Sequence, residues 1–231
     1  MTNRMIVVHQ AEDLMSVLGH ELRSPLTAIR GAATLLLQAH QELPPEKVVE
    51  LLAVIDSAAA RMADRIEDVL VAGRLDGERQ PVLIENIDVS EVIADVLEAA
   101  RARNPGRRVR APGIVEGISV HADRQRVSQV LRVLVDNALR FSPPGSQVEV
   151  RVERSAGMTR IVVRDRGHGI AASDRRRIFG RGVKLDPSGP GAGLGLYVVA
   201  GLMKAMKGEV GFEPRAGGGS TFWFTLPASA G

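Results

Sequence analysis

The chain has 231 residues, 45% hydrophobic and 25% charged, a balance that predicts a folded protein with room for one large domain or two small ones. Its net charge is +3, and its arginines alternate with acids, so the basic balance is no argument for nucleic-acid binding. The absence of cysteine excludes disulfides, thiolate metal sites and cysteine nucleophiles, and no apolar run approaches the roughly 20 residues that cross a bilayer. The apolar patch Met5–Val8 is too short for a signal segment, so a location in the reducing cytoplasm is the expectation.

From Ala11 to about Leu75 the period is helical. Leu14, Leu18, Leu22, Leu26, Ile29, Ala33 and Leu36 form one apolar stripe, and Val48, Leu51, Leu52, Ile55, Ala59, Met62, Ile66, Val69 and Leu70 form a second. The segment HQELPPEK breaks the two apart. This predicts an antiparallel helical hairpin that needs a partner for its stripe, most cheaply a second copy in a dimeric four-helix bundle. The stretch GRLDGERQP (73–81) reads as a linker.

After it the pattern mixes strands and helices. The spacing predicts a strand at 82–89, a helix over 90–103 capped from DVSE, a short strand near 118–120 and a helix from behind Asp123 to Phe141. Alternating strands follow at 147–154 and 159–166, then a glycine-rich stretch, a helix over about 194–206 and two closing strands. The expected architecture is an α/β sandwich with a mostly antiparallel sheet.

Within the first stripe stands GHELRSPLTAIRG (19–31). Pro25 removes a backbone donor and crowds the carbonyl of Glu21, so the turn carrying His20 should loosen. His20 falls outside the stripe, and an imidazole beside a carboxylate keeps one nitrogen unprotonated for nucleophilic attack. An ordinary surface His-Glu pair is the bland alternative. The whole string resembles the H-box of sensor histidine kinases. That resemblance implies phosphorylation of His20, with Glu21 as general base. Ser24 then takes the place where members that dephosphorylate their regulator carry Thr or Asn. His9, His40, His121 and His168 fall outside the motif or at variable positions and read as solvent-exposed bystanders.

Four further strings resemble the boxes of that family's nucleotide domain, the type shared with gyrase, Hsp90 and MutL. VLVDNALRFSPPG (133–145) is similar to the N-box, implying Asn137 as the Mg²⁺ ligand, with Arg140 and Phe141 at the nucleotide; Val133 departs from a usual asparagine. DRGHGI (165–170) resembles the first glycine box, implying that Asp165 accepts the adenine amino group, with Gly167 and Gly169 giving close backbone approach. RRIFGRG (176–182) is a partial F-box with Phe179 and Arg181, where Gly182 replaces an aromatic. GAGLGL (191–196) resembles the second glycine box, in which Gly191, Gly193, Leu194 and Gly195 open into a helix whose N-terminus suits phosphate. GGGSTFWFTLP (217–227) matches the closing strand with Thr221, and a lid over about 180–190 would carry Lys184.

The implied division is 1–75 for a dimerisation and histidine-phosphotransfer hairpin, 76–82 for a linker and 83–231 for an ATP-binding catalytic domain of the Bergerat-type α/β sandwich fold. The implied activity is autophosphorylation of His20 from Mg²⁺–ATP and transfer to an aspartate on a response regulator receiver domain. The expected cofactors are ATP and Mg²⁺, and the expected partners are a second copy and that regulator, with no nucleic acid and no membrane segment. A non-catalytic ATP-binding scaffold and a kinase acting mainly as a regulator phosphatase stay open as alternatives. A related serine-kinase anti-sigma factor would lack the H-box hairpin. The chain is expected to be an excised core, whose full-length protein could be membrane-anchored, or a short cytosolic kinase driven by a partner protein.

Overall fold

The computed structural model of the chain describes residues 2–39, 42–75, 81–114, 117–155, 157–186 and 193–229; at residues 2–18, 20, 21 and 155 it describes the backbone alone. Two long helices come first, α1 (Thr2–Ala39) and α2 (Pro45–Leu75), packed side by side as a hairpin. The helix begins well before Ala11, because nothing in the first ten residues stops it. It also continues through Pro25, with the Thr27 hydroxyl donating to the Arg23 carbonyl at 2.8 Å in the turn where the proline withholds its own donor from Glu21. Among the described side chains of the upper hairpin, Ala32, Leu51 and Ala58 are the buried apolar ones, while Leu26, Leu35, Leu37, Val49, Leu52 and Val54 stay exposed.

The remainder is a two-layer α/β unit. Its elements are β1 (Glu85–Asp88), α3 (Val89–Arg103), β2 (Arg108–Arg110), β3 (Ser119–Ala122), α4 (Arg124–Phe141), β4 (Gln147–Ser155), β5 (Met158–Arg164), α5 (Gly195–Ala205), β6 (Val210–Pro214) and β7 (Ser220–Pro227). The main sheet has the order β2-β4-β5-β7-β6, antiparallel except where β2 runs parallel to β4; β1 and β3 pair separately. Strand β2 was not anticipated: RVR is three residues long, alternates around a single buried Val109 and carries no local strand signature beyond it.

Helix starts follow from their caps. Asp88 accepts from the Ser90 amide at 2.8 Å and Asp123 from the Arg126 amide at 3.1 Å, which supplies acceptors to otherwise orphaned N–H groups. One sheet face buries Val148, Val150, Ile161, Val163, Phe222, Phe224 and Leu226 against α4 and α5, whose apolar stripes include Val130, Leu131, Leu134, Val198 and Leu202. Each such side chain contributes on the order of 2 kcal/mol when removed from water.

Helix α2 does not stop where a linker was expected. Gly73–Leu75 are helical, Val71 and Ala72 are fully buried in the core of the α/β unit, and Leu75 lies over Gly201 of α5. Asp64, Glu67 and Asp68 on this last stretch face Arg103, Arg126, Gln129 and Arg132. Residues 76–80, the rest of the expected linker, lie outside the described residues. Among the described residues no helix is long and apolar enough to cross a membrane.

Candidate nucleotide site

A cleft opens between α4, the turn after β5, the 183–186 segment, the start of α5 and the end of α2. On α4, Val133, Asp136, Asn137 and Arg140 follow the i, i+3, i+4, i+7 spacing of one face, and that face lines the cleft while Val130, Leu131 and Leu134 enter the core. Asn137 is half-buried at the centre of this wall. Arg140 stands toward the mouth, its guanidinium 5.0 Å from the Phe141 ring centroid.

Asp165 is 3% exposed at the floor. Its Oδ1 accepts from the Gly167 amide at 2.7 Å and from the Ser220 amide at 3.0 Å, and its own amide donates to the Ser220 carbonyl at 2.9 Å. With Oδ1 committed to backbone, Oδ2 is the oxygen placed to accept from a ligand amine. Gly167 must be glycine, since a Cβ there would sit 2.7 Å from the Phe141 carbonyl oxygen.

At the opposite end, Gly193, Gly195 and Leu196 line the cleft where α5 begins. The first turn of α5 carries no acidic residue and its N-cap, Leu194, makes no side-chain cap, so the positive end of the helix is left to the cleft. Lys184, Leu185 and Asp186 form the outer wall. Gly193 has φ +68°, and a Cβ on it would lie 2.6 Å from the Gly182 carbonyl carbon; Gly182 itself has φ +69°. The glycine that replaces the usual F-box aromatic therefore holds a left-handed turn that a bulky side chain resists.

Nine of the residues singled out from the sequence share this cleft: Asn137, Arg140, Phe141, Asp165, Gly169, Lys184, Gly193, Leu194 and Gly195. Gly167 supports it from behind. Two of the expected residues stand outside the cleft's lining. Strand alternation sends Ser220 and Phe222 to the cleft and Thr221 to the other face of β7, and Arg181 is not among the cleft's walls. Gly191 lies outside the described residues, as do 187–190 of the expected lid. His20 and Glu21 are placed by backbone alone, mid-way along α1; Ser24 is exposed one turn on.

The sequence reading missed several walls. His168, read as a bystander, lines the cleft: its ring meets Phe141 edge-on at 5.5 Å and its Nδ1 lies 2.7 Å from the Gly169 carbonyl. Arg65, Asp68 and Val69 come from α2, more than fifty residues before α4, and no local signal announced them. Asp136 was legible by helical spacing from Asn137. Burial holds its carboxyl above the usual range, opposed by the Arg103 and Arg132 guanidiniums and reinforced by Asp64. Among the described residues no cluster of three His, Asp or Glu side chains would cage a metal by itself.

Two family models match. The phosphoacceptor model, "His Kinase A (phospho-acceptor) domain", takes residues 10–78, and "Histidine kinase-, DNA gyrase B-, and HSP90-like ATPase" takes residues 122–230. Sensor protein DivL of Caulobacter vibrioides is 35% identical over 93% of this chain and 28% of its own length; Histidine protein kinase DivJ of the same organism is 30% identical over 91% and 36%. The chain thus spans roughly a third of these relatives. A crystal structure of full-length ShkA in complex with AMPPNP aligns with 95% of this chain and 47% of that one, at TM-score 0.63 and 30% identity. The order of the two matched regions, the cleft built within the second and the relatives' identity agree: the chain belongs to the sensor histidine kinases.

Proposed function

We propose that this chain is a histidine kinase core that takes the γ-phosphoryl group of Mg²⁺–ATP onto His20 and passes it to an aspartate of a response regulator. The observation that carries the reading is the convergence of Asn137, Asp165 and the uncapped start of α5 on one cleft. Asp165 Oδ2 would accept from the adenine amino group, Phe141 and His168 would flank the base, and the α5 amides with Arg140 and Lys184 would hold the phosphates. Asn137 would supply Mg²⁺ with a hard side-chain oxygen, and the triphosphate would supply the remaining ligands, which suits a cleft without a carboxylate cage. The ion's contribution is charge neutralisation on the transferring phosphoryl group.

In the transfer, a His20 ring nitrogen forms a bond to the γ-phosphorus as the bond to the β-bridging oxygen breaks and ADP leaves. Glu21 holds the proton of the other ring nitrogen and stabilises the cation that develops. Glu21 loses a helical partner for its own carbonyl to Pro25, which gives this turn the freedom such a step needs. The working division is 1–75 for phosphotransfer and 83–231 for catalysis, with the last turns of α2 shared between them. The exposed apolar side chains of the hairpin would be covered by a second copy in a four-helix bundle, and the regulator would dock on that bundle. The activity belongs in the cytoplasm, where ATP is available.

Incubation with γ-labelled ATP tests the reading. Label should enter the wild type in the presence of Mg²⁺, and Asn137→Ala should take up almost none; equal labelling of both would remove Asn137 from its role.

A further inference from the structure

The peptide unit joining Asp165 to Arg166 is held at both ends by side chains from different parts of the fold. Its carbonyl oxygen accepts from Arg215 Nη1 at 2.9 Å, and its N–H donates to the Ser142 hydroxyl at 3.4 Å. Ser142 caps the C-terminus of α4, immediately after Phe141. Arg215 begins the turn between β6 and β7, where its amide donates to the Gly219 carbonyl and its carbonyl accepts from the Gly218 amide. Gly219, at φ +103°, runs so close that a Cβ would lie 2.3 Å from the Asp165 carbonyl oxygen.

Arg215 is a costly choice for this place. It is half-buried beside Arg164 and Arg166, and burial followed by the Arg166 charge pushes its guanidinium below the ordinary value, with Arg164 adding to the effect and Glu149 and Asp165 opposing it. A neutral amide would reach a carbonyl with less repulsion. A charged donor makes the stronger bond, and the bond falls on the peptide that follows Asp165, the preceding one being held by the Ser220 carbonyl.

We infer that Arg215 is a positioning residue for base recognition: by holding the Asp165 carbonyl while the Ser142 hydroxyl holds the Arg166 N–H, it fixes the carboxylate that reads the amino group of the purine. This rests on the reading of Asp165 given under Proposed function. Arg215 reaches no part of the cleft itself, so its effect on nucleotide passes through Asp165.

The test separates the ligand's amino group from the rest of the nucleotide. Affinities for ATP and for purine riboside triphosphate, which lacks the 6-amino group, are measured by displacement of a fluorescent nucleotide from wild type, Arg215→Ala, Arg215→Lys and Asp165→Ala. Arg215→Ala should weaken ATP about ten-fold, the size of a lost charged hydrogen bond, while binding of purine riboside triphosphate stays within about two-fold, and Arg215→Lys should recover part of the loss. An unchanged analogue affinity also shows that the variant folds. Equal weakening of both ligands, or no weakening of either, overturns the inference. If Asp165→Ala keeps the wild-type preference for ATP over the analogue, the base-reading role of Asp165 fails and the inference falls with it. If Asp165→Ala loses that preference and Arg215→Ala keeps it, the inference alone fails.

Discussion

Arg132 of α4 donates to the buried carboxylate of Asp68 in α2 at 3.1 Å, which joins the helical hairpin to the wall of the cleft. The same Asp68 oxygen accepts from Gln129 at 2.9 Å, and Arg132 also reaches Asp64 at 3.3 Å. Removing Asp68 leaves a buried cation with half its partners. Asp68→Ala should therefore cost about 3 kcal/mol of unfolding free energy in urea titration, whereas Asp64→Ala, at a more exposed position, should cost about 1 kcal/mol.

Phe141 meets His168 edge-on and carries the Arg140 guanidinium over its face. An aromatic contact of this kind is worth about 1 kcal/mol. Phe141→Ala should weaken ATP about five-fold in a displacement assay, with little change in melting temperature, since the ring is 38% exposed.

Gly193 has no room for a methyl group between the Gly182 carbonyl and the start of α5. A left-handed alanine adds about 1–2 kcal/mol of backbone strain before any clash is counted. Gly193→Ala should weaken ATP about ten-fold or more, and the loss should persist in Mg²⁺-free buffer, because it arises in the turn proposed to hold the phosphates and not at the proposed metal ligand.

Asp88 caps α3 and also accepts from the Gly117 amide at 2.9 Å. Burial alone would raise its carboxyl, but hydrogen bonds from Ser90, Gly117 and Ile118 outweigh that and hold it below the usual range. A lowered carboxylate stabilises the fold above its unfolded value and loses that contribution as pH falls through its folded value. Asp88→Ala should cost about 1 kcal/mol at neutral pH, and the gap to wild type, followed by thermal melts, should shrink as the pH drops below the ordinary carboxylate range.

The sequence was most informative where chemistry is local. Asn137, Arg140 and Phe141 are set by one helical face, and the Asp165 turn by its glycines, so their convergence followed once α4 and β5 were placed. The docking of α2 was not legible, because Asp64, Glu67 and Asp68 meet arginines that stand 39 to 68 positions away and read locally as a solvated helix face. Ser220 and not Thr221 lines the cleft, because one residue of strand alternation is enough to change faces. His168 was dismissed for occupying a variable position, yet the turn that places Asp165 also carries its ring to the cleft. The parallel β2–β4 pair escaped because three residues are too few to show a period.

The central claim is that His20 receives the phosphoryl group. Labelling with γ-labelled ATP and Mg²⁺, comparing wild type with His20→Ala and followed by acid and base treatment, tests it directly. The account predicts label on wild type that is lost in acid and kept in base, and none on His20→Ala. Label that persists on His20→Ala, or that survives acid, would contradict it.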